Sequence, residues 1–236
     1  MQILKIYKNK NLIFILKKIE GIRMKPIILV CTIFFSLTFS INASGSYANS
    51  YKSNHVSKEQ LHFVFENVKQ WSDVSQKALA KTFAYYERNR YAKKLSPDYL
   101  AIADYTKSGV RKRLYIIDLH SGDVSQYMVA HGVKSGTKGD RVWDSSNVMG
   151  SRKTPFGFFQ IGGTEGITSK KHYKYLGVKG LEHKNRNAAA REILLHTAWY
   201  VESLGRSYGC FAIRPEDRRA VFSKLKRALF FSYTGR

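Results

Sequence analysis

The chain has 236 residues, with 40 Lys+Arg against 17 Asp+Glu, a formal net charge of +23, and 44% hydrophobic residues. That apolar share supports a packed core and excludes a disordered chain, and 17 Gly with 4 Pro exclude a collagen-like or low-complexity one. Two cysteines are too few for a disulfide framework or a Cys-rich zinc module, and the length fits one domain, or one plus an appendage.

The N-terminal part differs from the rest. Residues 27–39, IILVCTIFFSLTF, carry no charge and follow Met24-Lys25. Crossing a bilayer takes about 20 apolar residues, so this shorter run with a basic flank reads as a secretory signal peptide. Ser46-Tyr47-Ala48 has the small-x-small form of a cleavage site, which makes 1–48 the leader. Residues 1–23, with six basic residues and one acid, are either an extended basic n-region or lie upstream of a true start at Met24. The remaining alternative is an uncleaved anchor helix. With cleavage the protein is exported, to the periplasm or cell wall, and keeps no stable membrane span.

Loss of 1–48 removes seven basic residues and one acid, leaving a net charge of +17 over 188 residues. It also removes Cys31, so Cys210 becomes the single thiol. In an oxidising compartment a lone cysteine forms no internal disulfide and is either buried and inert or kept for reactivity. The basic excess suits anionic envelope polymers. No nucleic-acid partner is expected, because the basic residues are spread along the chain without a nucleic-acid motif.

In chain order, residues 49–96 form a helical N-terminal segment. Ser57 is placed to cap a first helix, with Gln60 three residues on to close a capping box, and Leu61, Val64, Phe65 and Val68 follow at helical spacing. A second helix is expected over 73–90, with Val74, Ala78, Phe83 and Tyr86 on its apolar face. The segment then reads as a helical hairpin packed on the main domain. From 97 to 236 the texture changes to short strands, at 99–106, 113–119, 125–130, 157–161, 175–178, 193–201 and 228–233. One late helix begins at Pro215, with Glu216 and Asp217 complementing its positive end and Val221, Leu225 and Ala228 as its apolar face. The fold class is mostly β with a helical N-terminal segment and one late helix, α+β overall.

Chemistry concentrates around Cys210. Arg206-Ser207-Tyr208-Gly209-Cys210 sits between a strand and the late helix, with Gly205 and Gly209 flanking the turn. A glycine before a nucleophile lets the backbone approach a substrate and aim N–H groups into one concavity. A free thiol titrates near about 8.5 and needs a base. His196, in ILLHTAWYV fourteen residues earlier, is the candidate. Alone, His196 also reads as a satisfied half-buried histidine, and Cys210 as a small buried hydrophobe. The seven histidines are scattered, and His120, His131, His172 and His183 form no H-x-x-x-H pair, so neither a metal nor another cofactor is expected.

Ser-Tyr-Gly-Cys at 207–210, the histidine at 196 and Thr-Pro-Phe-Gly-Phe-Phe-Gln-Ile at 154–161 together resemble the catalytic domain of murein L,D-transpeptidases of the YkuD type. Arg-Leu-Tyr-Ile-Ile-Asp-Leu at 113–119, Ala-His-Gly at 130–132 and a helical region before the first strand extend the resemblance over about 57–236. It implies a β-sandwich or barrel, Cys210 as nucleophile, His196 as its base, and an oxyanion held by backbone N–H groups around Tyr208, Gly209 and Cys210. The thiolate would attack the third residue of a peptidoglycan stem peptide, expel the terminal D-alanine and pass the acyl group to an amine on a neighbouring stem. Water as acceptor would make the protein an L,D-carboxypeptidase, and loss of catalysis would leave a cell-wall-binding protein. Ser207, Arg206, His131 and Arg214 are candidates for substrate binding or support. Many members carry an arginine two residues after the cysteine where this chain has Ala212, so Arg206 or Arg214 is expected to meet the substrate carboxylate in its place.

Overall fold

The structure is a computed structural model that describes residues 55–137, 141–203 and 205–235. The expected leader, with Cys31 and the expected cleavage site at Ala48, lies outside the described residues. Two helices, α1 (Lys58–Trp71) and α2 (Gln76–Asn89), precede ten strands. These are β1 (Tyr99–Asp104), β2 (Leu114–Asp118), β3 (Val124–Tyr127), β4 (His131–Gly132), β5 (Gly157–Ile167), β6 (Lys174–Gly180), β7 (Leu194–Thr197), β8 (Arg206–Ser207), β9 (Phe211–Ile213) and β10 (Leu229–Tyr233). Two more helices, α3 (Tyr200–Ser203) and α4 (Arg218–Leu225), interrupt the second half.

Eight strands form one sheet in the order β3-β2-β1-β10-β5-β6-β7-β9, and β4 pairs with β8 beside it. The central strands are apolar on both faces. Leu100, Ile102, Tyr115, Ile117, Leu229 and Phe231 point into one core, while Ala101, Ala103, Leu114, Ile116 and Phe230 point into another. With a side-chain period of two, such strands require a cover on each side. The helical pair covers one face, burying Leu61, Val64, Val68, Leu79, Phe83 and Tyr86 at i, i+3 and i+4 spacings. Tyr85 of α2, Phe158 of β5 and Phe231 of β10 stack in series, with centroids 4.0 and 4.2 Å apart.

The sheet covers its other face by curling into a nearly closed barrel. Strand β5 bends at a bulge between Ile161 and Glu165, where Gly162 lies so close to the Gly177 backbone that a Cβ would approach it to 3.3 Å. The far strand β9 thereby returns towards the near ones: Phe211 packs on Phe230 with centroids 4.7 Å apart and on Phe159 at 5.5 Å. Beyond β3, the Ala130 N–H donates to the Ala212 carbonyl of β9 at 2.8 Å, joining the two ends of the sheet.

Several boundaries differ from the sequence expectation. Ser57 caps α1 by accepting from the Gln60 N–H, but the Gln60 side chain does not close the box; it donates to the His120 carbonyl instead. Helix α2 starts at Gln76 with Ser75 as cap, because the Asp73 carboxylate is taken by the Tyr115 hydroxyl and Lys107. The strand expected over 193–201 stops at Thr197, where Ala198 N–H bonds Ile213 and the chain turns into α3. Pro215 lies in a turn ahead of α4, and Asp217 binds Arg214 rather than capping the helix. Strand β5 is longer than expected, running on past the bulge to Ile167.

A buried polar pillar stands behind β8. Arg113 is fully buried, donates to the carbonyls of Val129 and Lys107, and places Nη2 2.7 Å from His131 Nδ1. A guanidinium only donates, so Nδ1 accepts and neutral His131 carries its proton on Nε2. Burial and the Arg113 charge push the His131 pKa down to about 4, and burial lowers that of Arg113 to about 10.

Two outcomes follow from this packing. Phe158→Ala empties the middle of the three-ring stack and should cost about 3–5 kcal/mol in urea denaturation, against a much smaller loss for Phe63→Ala on the exposed face of α1. Between pH 6.5 and about 4 the unfolded chain protonates His131 while the folded one does not. Stability should therefore fall as pH drops through that window and level off below it, by about 3 kcal/mol for this group. His131→Gln should flatten that slope, measured as unfolding free energy against pH.

Candidate active site

The site is built where β7 and β9 run parallel, with His196 paired in register to Ala212 and Leu195 to Phe211. Cys210 immediately precedes β9, so the thiol sits at the start of the strand next to the one that carries the imidazole. Both line one open cavity of about 830 Å³. The turn carrying the cysteine is closed by Ser207, whose hydroxyl donates to the Cys210 carbonyl at 2.7 Å and accepts from the Gly209 N–H at 3.0 Å. Gly209 has φ +126°, and a Cβ there would lie 3.0 Å from the Lys153 carbonyl and 3.2 Å from Ile193. Because its N–H is already bonded to Ser207, Gly209 shapes the turn and does not offer an oxyanion donor.

The imidazole of His196 is held from both sides. Its Nδ1 lies 3.0 Å from the Thr197 carbonyl, which can only accept, so the proton of the neutral ring sits on Nδ1. Nε2 then carries the lone pair, 3.4 Å from the Tyr200 hydroxyl. Tyr173 stacks on the ring at 5.3 Å and 11°. Burial lowers the His196 pKa below its ordinary 6.5, partly offset by the Thr197 carbonyl.

The Cys210 thiol donates to the Glu192 carbonyl at 3.4 Å. Glu192 adopts φ +52°, a left-handed conformation uncommon for such a side chain, and this aims its carbonyl towards the sulfur. Burial pushes the thiol pKa up; the Leu194 N–H and the nearby Arg191 charge act against that shift. The resting pair is consequently neutral thiol and neutral imidazole.

The other sequence candidates separate. Ser207, Arg206 and Tyr208 line the cavity with the pair. The Nε of Arg206 is buried without a hydrogen-bond partner among the described residues, and the exposed Tyr208 ring lies under the Arg152 guanidinium at 5.0 Å. His131 does not reach the cavity; it is fully buried on β4, paired with Arg206 of β8. Arg214 is held by Glu202, Glu216 and Asp217 and is not among the cavity residues, so it is not placed to meet a substrate. Ala212 is buried against Ala130, Ala198 and Val201.

Sequence reasoning missed Tyr173, Tyr200, Glu192, Lys170 and Lys171 as cavity residues. Tyr200 lies four residues after His196, a helical spacing that the strand reading of 193–201 concealed. Lys170 and Lys171 come from the turn between β5 and β6, and no local pattern signals that this turn faces β8. Among the described residues no group of three or more His, Cys, Asp or Glu side chains is arranged to hold a metal.

Comparison with known proteins follows the same lines. The sequence model of the L,D-transpeptidase catalytic domain matches residues 70–233. No curated protein matches the chain. Among solved structures it is similar to an L,D-transpeptidase from Mycobacterium smegmatis, at 16% identity and a TM-score of 0.34, covering 58% of each chain. A second is the helical cell shape determining protein Pgp2 from Campylobacter jejuni, at 14% identity and a TM-score of 0.42, covering 59% of this chain and 49% of that one. A third is an L,D-transpeptidase from Xylanimonas cellulosilytica, at 10% identity and a TM-score of 0.35, covering 76% and 95%. The chain thus spans less than two thirds of the length of the first two. With the domain model matched from the end of α1 through β10, this chain belongs to the L,D-transpeptidase catalytic-domain family.

Proposed function

We propose that the protein is an exported peptidoglycan L,D-transpeptidase whose nucleophile is Cys210 and whose base is His196. The observation that supports this reading is the convergence of both side chains on one cavity, with the imidazole fixed so that Nε2 is the basic nitrogen. In this reading 97–236 is the catalytic domain, preceded by the helical segment over 49–96 and a leader over 1–48.

The reaction begins from the neutral pair. Nε2 of His196 takes the thiol proton as Sγ attacks the carbonyl carbon of the third residue of a tetrapeptide stem. With the Gly209 N–H committed to Ser207, the developing oxyanion falls to the Tyr208 and Cys210 N–H groups in this reading. On collapse the bond to D-alanine breaks, its nitrogen takes the proton from His196, and a thioester remains on Cys210. An amine of a second stem then loses a proton to His196, attacks the thioester, and returns the thiol. Arg206, with its unsatisfied Nε, and the Lys170-Lys171 turn give the cavity a positive lining for the carboxylates of such peptides. The +17 charge of the chain after residue 48 suits the same anionic surroundings.

Incubation with purified tetrapeptide muropeptides, analysed by mass, tests the reading. The wild type should release D-alanine and form dimers, and Cys210→Ala should do neither. His196→Gln should lower kcat by about 10²–10⁴-fold. Release without dimers would assign water as acceptor, and equal behaviour of wild type and Cys210→Ala would remove the thiol from the reaction. Because His196 must be unprotonated, kcat/KM should fall only on the acid side, with its midpoint below 6.5.

A further inference from the structure

Immediately before the Glu192 carbonyl that receives the thiol proton stands Arg191, half-buried behind the Cys210 turn. Its guanidinium is held at three points by one loop: Nη1 on the Ser146 carbonyl, and Nη2 on the Ser151 hydroxyl at 3.1 Å and the Lys153 carbonyl at 2.6 Å. All three partners are neutral, so these bonds fix the position of the charge without cancelling it. The same Nη2 lies 3.3 Å from where a Gly209 Cβ would be, next to the Lys153 carbonyl that also abuts that glycine. The loop is itself anchored: the Thr154 hydroxyl accepts from the Gly132 N–H at 2.6 Å, and the Thr154 N–H donates to Ser135 at 2.7 Å. The arginine is therefore a strut between the Thr-Pro segment and the nucleophile turn.

We propose that Arg191 is a positioning residue for the nucleophile: clamped to the 146–153 loop, it presses a fixed positive charge against the Cys210 turn and lowers the cost of forming the thiolate from the resting thiol. The inference deepens the reading of Cys210 as nucleophile but does not need the peptidoglycan substrate. Other groups facing the sulfur do not supply this charge from the same side. Glu192 opposes ionisation, Tyr105 and Tyr200 are neutral with their pKa values raised by burial, and His196 is neutral at rest. Lys170, Lys171 and Arg206 lie around the cavity that the substrate fills. Half-buried, and hydrogen-bonded to two carbonyls and a hydroxyl, the guanidinium is screened less than a fully exposed charge would be.

The test reads the thiol directly. The rate of iodoacetamide labelling of Cys210, followed on its tryptic peptide from pH 5 to 10, reports thiolate formation, as Sγ displaces iodide. In Arg191→Gln the midpoint should rise by about one pH unit, with labelling at pH 7 about tenfold slower. Arg191→Lys, which keeps a charge but cannot hold three acceptors, should show a smaller rise in the same direction. A merely structural arginine would alter thermal stability and leave the midpoint in place, and an unchanged midpoint in both variants would overturn the proposal. If Arg191→Gln does not fold, Arg191→Lys alone decides: a raised midpoint supports the role and an unchanged one refutes it. Muropeptide turnover by the same proteins separates the two readings, since labelling can shift with Arg191 even where no cross-link forms.

Discussion

Strands β7 and β9 pair in parallel, so the chain between them cannot return through a hairpin and needs a crossover. That crossover holds α3, β8 and the nucleophile turn, and its geometry sets most of what the site can do. Because β7 and β9 are adjacent, His196 and Cys210 reach the same cavity although fourteen residues separate them. Because β8 pairs with β4, the turn leans on the segment that also bonds to β9, and the crossover becomes part of the barrel's closure. A slip of one residue in the β7–β9 register would turn His196 from the cavity to the opposite face.

Closure depends in turn on burying both faces of the sheet. One is covered by α1 and α2, the other by the sheet's own curl around Phe159, Phe211 and Phe230. The helical pair therefore shares a core with the strands, and the three-ring stack of Tyr85, Phe158 and Phe231 ties it to β5 and β10. The Thr-Pro-x-Gly-x-Phe segment lies at the same junction. Thr154 fixes the loop near Cys210, while Phe158 and Phe159 supply one ring to each core.

The buried histidines and the thiol are neutral, while the arginines beside them are held by backbone carbonyls. His131 stays unprotonated beside Arg113, and His196 and Cys210 rest as imidazole and thiol. A neutral pair in a half-buried cavity avoids the desolvation cost of a standing ion pair, and under the proposed mechanism one forms only as the sulfur attacks. The left-handed Glu192, whose carbonyl receives the thiol proton, keeps the sulfur oriented until then.

Much of this was legible in the chain itself. Alternating or doubly apolar runs marked the strands, Ser57 marked the start of the first helix, and Gly209, Cys210 and His196 marked the turn and the strand that line the cavity, because those signals are local. The strand read through 193–201 failed locally too, since the bond from Ala198 to Ile213 that ends it comes from a partner strand. Cys210 is the one cysteine among the described residues, and its surroundings only became chemical in three dimensions. Arg214 looked equivalent to Arg206 in sequence, yet three carboxylates brought by α3 and the turn before α4 occupy it. Arg191 gave no sign, because its partners lie about 40 residues away in the chain. The sequence by itself determined the residue types, the periodicities and the glycine-flanked turn at Cys210. Which charges face the sulfur was decided only by the curl of the sheet, because electrostatics depends on distance and burial rather than on order along the chain.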